Sequence, residues 1–159
     1  MRACWGPDPV EFEGRFYRIA PSEVNPKPVQ ERLPVLLGAT TPAGARRAGR
    51  IADGINPIAL SAEVVPALAK IFREAAEEAR RDPAGLRVVV RANVPLTREP
   101  LGSDRPFLGG SPGQVAEDMA RLEPAGVDQV IIANLAPHDL DVEVGLMEEL
   151  KTAATAAGG

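Results

Sequence analysis

One pattern recurs along this sequence at a fixed interval and narrows the folds open to it. Gly38-Ala39-Thr40-Thr41-Pro42 leads through a helix-forming stretch to Ala52-Asp53-Gly54-Ile55. Gly109-Gly110-Ser111-Pro112 leads through another to Ala125-Gly126-Val127-Asp128, 70 positions further on. Each copy reads glycine, hydroxyl cap, proline, helix, turn, strand. Ser or Thr at the N-cap with Pro at the first helical position is a strong helix start. Two units separated by 70 positions, with one more unit between them, average about 35 residues each, close to the roughly 30 of a β-α-β element.

The stretches between the repeats fit the same scheme. Pro34 to Gly38 is a short apolar strand, and Thr41 caps a helix running to about Ala52. Ile55 to Ile58 is a second strand. Ser61 caps the next helix, whose apolar stripe is Val64, Leu68, Ile71, Phe72, Ala75 and Ala79. Arg81-Asp82-Pro83 ends it. Leu86 to Val94, centred on Val88-Val89-Val90, has the continuous β-branched character of a parallel strand. Residues 95–110 form a long Pro/Gly loop of the kind found at active sites or interfaces. Ser111-Pro112-Gly113-Gln114 is a capping box opening a helix to about Glu123. Val127 to Ala133 is a fourth strand, and Asp139 to about Ala156 a last helix with a frayed Ala/Gly tail.

Strand and helix thus alternate four times. This predicts an α/β fold with a parallel sheet: a partial (half) TIM barrel with four β-α units, since a full barrel has eight. A doubly wound sheet is the alternative and would show a reversal of strand order. Two domains are expected. Residues 1–31 form an N-terminal β-hairpin (Val10 to Ile19, turning at Glu13-Gly14) and a proline-rich extended segment. Residues 32–159 form the (βα)4 half-barrel.

Composition removes several functions. The chain has 159 residues, 45% of them hydrophobic, and a net charge of −4. That balance argues against nucleic-acid and membrane-surface binding. No apolar run is long enough to span a bilayer and no signal peptide is evident, so a cytoplasmic protein is expected. With one histidine (His138) and one cysteine (Cys4), zinc sites of the His/Cys kind are excluded, and no metal site is expected. No Walker, G-x-G-x-x-G or G-x-S-x-G motif occurs.

Chemistry in parallel β/α folds sits at the C-terminal ends of the strands. Those ends carry Asn56, Asn93 and Asn134, which either line a ligand mouth or serve turns. His138 follows the fourth strand as a general base or a solvated loop residue. The loop from Gly38 to Gly44 is the best single candidate. Glycine permits close approach, the helix start offers N–H groups and a positive dipole end, and Arg46 and Arg47 follow. This suits a phosphate; a plain N-cap is the other reading.

Further stretches carry a resemblance. They are Val10-Glu11-Phe12-Glu13-Gly14-Arg15-Phe16-Tyr17, Pro26-Lys27-Pro28-Val29-Gln30, Pro34-Val35-Leu36-Leu37-Gly38-Ala39, Ala48-Gly49-Arg50-Ile51-Ala52-Asp53-Gly54 and Ala116 to Leu122. In this order they resemble the luciferase-like monooxygenases, flavin- or deazaflavin-dependent oxidoreductases. The resemblance spans nearly the whole chain but covers only the C-terminal half of the family's barrel. It implies a TIM-barrel fold, coenzyme F420 or FMN as cofactor, and hydride transfer or monooxygenation of a small organic substrate. By position it implies cofactor-phosphate contacts at Gly38, Ala39, Thr40, Thr41, Ala43 and Gly44. The family often has a Gly pair where this chain has Thr40-Thr41. The family's catalytic residues lie in the other half, so none is assigned here. A half-barrel would expose an apolar inner face, which implies a homodimer or a missing N-terminal half. The alternative function is a non-catalytic domain that binds the cofactor phosphate or dimerises.

Overall fold

The computed structural model describes residues 1–157, with side chains to Ala156; Gly158 and Gly159 of the expected frayed tail lie outside the described residues. The chain divides into two compact units, Met1–Leu33 and Pro34 onward.

The first unit is a hairpin of β1 (Val10–Glu13) and β2 (Arg18–Ser22), paired antiparallel with Phe12 opposite Ile19 and Glu13 opposite Arg18. The turn closes where the Gly14 amide donates to the Tyr17 carbonyl at 2.9 Å. Its flanks are fastened by Asp8, which accepts from Lys27 Nζ at 2.7 Å and from the Val24 amide at 3.1 Å. These bonds hold the Asp8 carboxyl below its ordinary pKa, Lys27 foremost. Phe12, Phe16 and Tyr17 are exposed, so the hairpin aromatics do not form a core.

The second unit holds β3 (Leu36–Gly38), α1 (Pro42–Ile51), β4 (Gly54–Asn56), α2 (Val64–Glu78), β5 (Arg87–Val94), α3 (Pro112–Ala120), β6 (Gln129–Asn134) and α4 (Leu140–Ala157). The four strands pair parallel in the order β3-β4-β5-β6. Spatial order follows chain order without reversal, which is the arrangement of a barrel sector. A doubly wound sheet would switch direction. The barrel is not closed, and β3 and β6 are both edges.

Alternation along β5 explains how the sheet is covered. Val88, Val90, Ala92 and Val94 join the core cluster beside Ile55 of β4, with Val130 and Ile132 of β6 packed against it. Successive side chains point to opposite faces, so Arg87, Val89, Arg91 and Asn93 share the other face. On that second face Val89 is buried, while Arg87, Arg91 and Asn93 are exposed.

Helix packing follows the small residues. Ala45, Ala48 and Gly49 are the buried residues of α1. A Cβ on Gly49 would lie 2.3 Å from the Phe72 carbonyl and 2.9 Å from Ala75 Cβ, so glycine is what lets α1 meet α2 this closely. The buried stripe of α2 is Val65, Leu68, Ala69, Phe72, Ala75 and Ala76. It is rotated from the expected one, because Val65 and Ala76 point inward while Ala79 is exposed and Val64 and Ile71 flank the core.

Polar side chains then lock the repeating units. Asp53, entering β4, accepts from the Val35 amide at 2.9 Å; Asp128, entering β6, accepts from the Val88 amide at 2.7 Å. Arg81 donates to the carbonyls of Gly49 and Ala52 at the end of α1. Arg73 donates to those of Ala125 (2.6 Å) and Gly126 (2.7 Å) beyond α3. Each guanidinium thus takes carbonyls that a helix end leaves unpaired. Gly126 sits at φ 63°, the left-handed conformation that glycine adopts without strain.

Two substitutions test this packing. Gly49→Ala should lower unfolding free energy by about 1–3 kcal/mol, the cost of overpacking, as read by urea denaturation. Ala43→Gly, at an exposed site in the first turn of the same helix, should cost at most about 1 kcal/mol.

Candidate functional site

The C-terminal ends of β3, β4 and β5 open onto the 39–44 turn, residues 57–63 and the loop 95–111. The first of these holds the sequence-predicted residues. Thr41 is the N-cap of α1: its Oγ1 accepts from the Gly44 amide at 3.2 Å, and its carbonyl accepts from Ala45 at 3.0 Å. Pro42 brings no N–H. The amides of Thr40, Thr41 and Ala43 find no acceptor among the described residues. Gly38, Thr40, Thr41 and Ala43 are exposed, Gly44 is half-buried, and Ala39 is buried in the core cluster. A Cβ on Gly38 would meet nothing within 4 Å, so this backbone lies open. The first turn of α1 carries no acidic residue. Arg46 and Arg47 are exposed one turn further on. Unpaired amides at the positive end of a ten-residue helix, with no carboxylate to repel an anion, suit a phosphate group.

The asparagines do not converge. Asn56 Nδ2 donates to the Val89 carbonyl at 2.6 Å, and Asn93 Oδ1 accepts from Arg91 Nε at 2.9 Å. Asn134 Oδ1 accepts from the Leu96 and Ala136 amides, while its Nδ2 donates to Glu143 at 2.6 Å. It therefore ties the loop after β5 to that after β6. His138 Nε2 lies 2.8 Å from the Leu96 carbonyl and joins the same tie, which spends that nitrogen on structure.

The loop 95–110 is ordered by α3. The Ser111–Gln114 capping box forms as expected. Gln114 also exchanges two bonds with the Leu101 backbone, accepting at 2.9 Å and donating at 2.8 Å. The feature hidden from sequence reasoning is Asp118, 2% exposed. It receives Arg105 through two nitrogens at 2.5 and 3.1 Å and the Leu108 amide at 2.8 Å. The bond to Asp118 raises the Arg105 pKa above its ordinary value. Its signal in the sequence is a lone carboxylate on the same helix face as Val115. The pairing itself bridges 13 positions across an irregular loop, where no periodicity applies. Among the described residues no cluster of His, Cys, Asp and Glu could hold a metal ion, and no helix is long and apolar enough to cross a membrane.

Comparison with known proteins decides the family. The luciferase-like monooxygenase family matches residues 1–101. The chain belongs to that family. Among its curated relatives, an F420-dependent glucose-6-phosphate dehydrogenase from Segniliparus rotundus is 31% identical over 102 residues. A second such enzyme, from Rhodococcus jostii, is 32% identical over 106. Each match takes in 63% of this chain and 30% of the relative. Among solved structures, an F420-dependent secondary alcohol dehydrogenase in complex with an F420-acetone adduct superposes with a TM-score of 0.78 at 16% identity, over 96% of this chain and 58% of that one. A monooxygenase from Streptomyces bottropensis gives 0.73 at 20% identity, covering 99% and 58%. The luciferase-like chain therefore spans less than two thirds of the proteins it matches.

Removing the Asp118 carboxylate should be costly. Asp118→Asn leaves the Arg105 charge without its partner in a largely buried site, and should destabilise by about 3–5 kcal/mol in urea denaturation. Glu117→Gln, on the exposed face of α3, should stay within about 0.5 kcal/mol.

Proposed function

We propose that this chain is the phosphate-holding part of an F420-dependent oxidoreductase. Gly38, Ala39, Thr40, Thr41, Ala43 and Gly44 form the phosphate site, through the amides of Thr40, Thr41 and Ala43 and the hydroxyl of Thr40. The observation that carries this reading is the row of unpaired amides at an acid-free helix start, at the C-terminal end of a barrel strand. The names of the relatives support the deazaflavin over FMN, the other cofactor of the resemblance. When bound, the deazaflavin supplies a hydride carrier for a small organic substrate. Within this chain Thr41 holds the loop in shape by capping α1, and Arg46 and Arg47 add positive charge. No residue here is assigned to proton transfer.

Two observations favour a second reading, a non-catalytic phosphate-binding domain: the sheet has two edge strands and does not close, and the sole histidine is tied to the Leu96 carbonyl.

Equilibrium dialysis against F420, FMN and inorganic phosphate tests the site. F420 should bind and be displaced by phosphate. Thr40→Glu, which sets a carboxylate beside the amides, should weaken F420 at least about tenfold, or about 1.4 kcal/mol. Equal binding by the variant would remove this loop from the site. Binding of phosphate without selectivity for F420 would favour the second reading.

A further inference from the structure

From Gly38 to Ala52 the chain holds three arginines and no aspartate or glutamate, in a protein of net charge −4. All three, Arg46, Arg47 and Arg50, are exposed on α1. Arg50 follows Arg46 by four positions and Arg47 by three, so they share one helix face. The buried residues of the helix, Ala45, Ala48 and Gly49, lie on the other side. None of the three guanidinium groups takes a hydrogen bond or an ion pair among the described residues. The helix itself has no use for this arrangement. Arg46 and Arg47 stand mid-helix, outside the last turn where the dipole favours a cation, and α1 holds no carboxylate to pair with them. Ala43 heads the same face, three positions before Arg46 and four before Arg47. Its amide is one of the three without an acceptor. Its small side chain leaves the way open from the turn to the arginines. At a rise of about 1.5 Å per residue, Arg46 and Arg50 lie about 4.5 and about 10 Å further along the axis.

We propose that this arginine face holds an anionic tail that follows the phosphate of the ligand, so that the site favours a ligand with carboxylates beyond its phosphate. The proposal rests on the phosphate reading of the 39–44 turn. The deazaflavin is such a ligand, because its phosphate is a diester leading into a chain of linked glutamates. FMN ends at its phosphate. With a phosphate on the amides of Thr40, Thr41 and Ala43, the first carboxylates come within reach of Arg46 and Arg47, and later ones of Arg50. An extended peptide spans about 3.5 Å per residue, so about three tail residues cover the stretch to Arg50. Guanidinium groups take carboxylates through two parallel hydrogen bonds. Each exposed pair is weak, so the effect belongs to the series and is screened by salt.

Equilibrium dialysis of the full chain against F420 with its glutamate tail, and against the tail-free form that keeps the phosphate, tests the proposal. At low salt the tailed form should bind about tenfold tighter, the sum of two or three exposed pairs. The gap should close at about 1 M salt, where charges are screened within about 3 Å. Arg50→Glu should remove most of the tail's advantage and leave tail-free binding unchanged. Lys151→Glu makes the same charge change at an exposed position of α4 and should alter neither. Both side chains are exposed and outside the core cluster, and circular dichroism should show each variant folded as wild type. Equal binding of the two forms at low salt would overturn the proposal and leave the phosphate site standing. So would an Arg50→Glu variant that keeps the tail's advantage, or a Lys151→Glu variant that loses as much of it. Failure of both forms to bind would overturn the phosphate site as well.

Discussion

Val88, Val90, Ala92 and Val94 place one face of β5 against the helices, and the second unit depends on that burial. A fully buried valine contributes about 1.5–3 kcal/mol relative to an exposed one. The same face takes in Ile55 from β4 and is flanked by Val130 and Ile132 from β6, so one apolar layer runs across the sheet. Alanine and glycine on α1 then let it sit close on α2. On the other face of β5 Val89 is buried and Arg87, Arg91 and Asn93 are exposed, and the four strands stay an open sector because β3 and β6 do not pair with each other.

Burial alone does not fix how successive β-α units register. Asp53 and Asp128 do so by accepting an amide from the neighbouring strand, once at each copy of the repeat. Arg81 and Arg73 do so by closing the ends of α1 and of the segment after α3. Each bond is worth about 1.5–3 kcal/mol with a charged partner, less than the apolar layer in sum. Their effect is directional: they set strand offset and helix end, which apolar contacts leave loose. With offset set, the 39–44 turn, the 95–111 loop and the loop after β6 come to the same end of the sheet.

At that end the groups divide into two kinds. Asn134, His138, Gln114 and Asp118 are engaged with backbone groups, and Asn134 and Asp118 also with Glu143 and Arg105, and they hold the loops. The amides after β3 are not engaged. A site differs from a scaffold in this respect, because unspent donors are what a ligand can use.

The sequence by itself determined the order of elements and the caps at Thr41 and Ser111, whereas the helix expected to be capped by Ser61 begins at Val64 with Glu63 at its N-cap. Thr41 and Ser111 act within three residues of the amides they bind, and the valines of β5 act through a period of two, so both are legible locally. The Thr41-Pro42 helix start after β3 was legible for the same reason. The hairpin was legible as alternation, although its aromatics lie exposed. Only the tertiary structure decided that the stripe of α2 faces inward through Val65 and Ala76, since the helix rotates to suit Gly49 and its neighbours. Only it decided that Asp118 meets Arg105 and that the strand-end asparagines scatter. These depend on which residues distant in sequence come together and on which side of each strand a helix lands. Chain entropy and packing settle that together, and no local spacing encodes it.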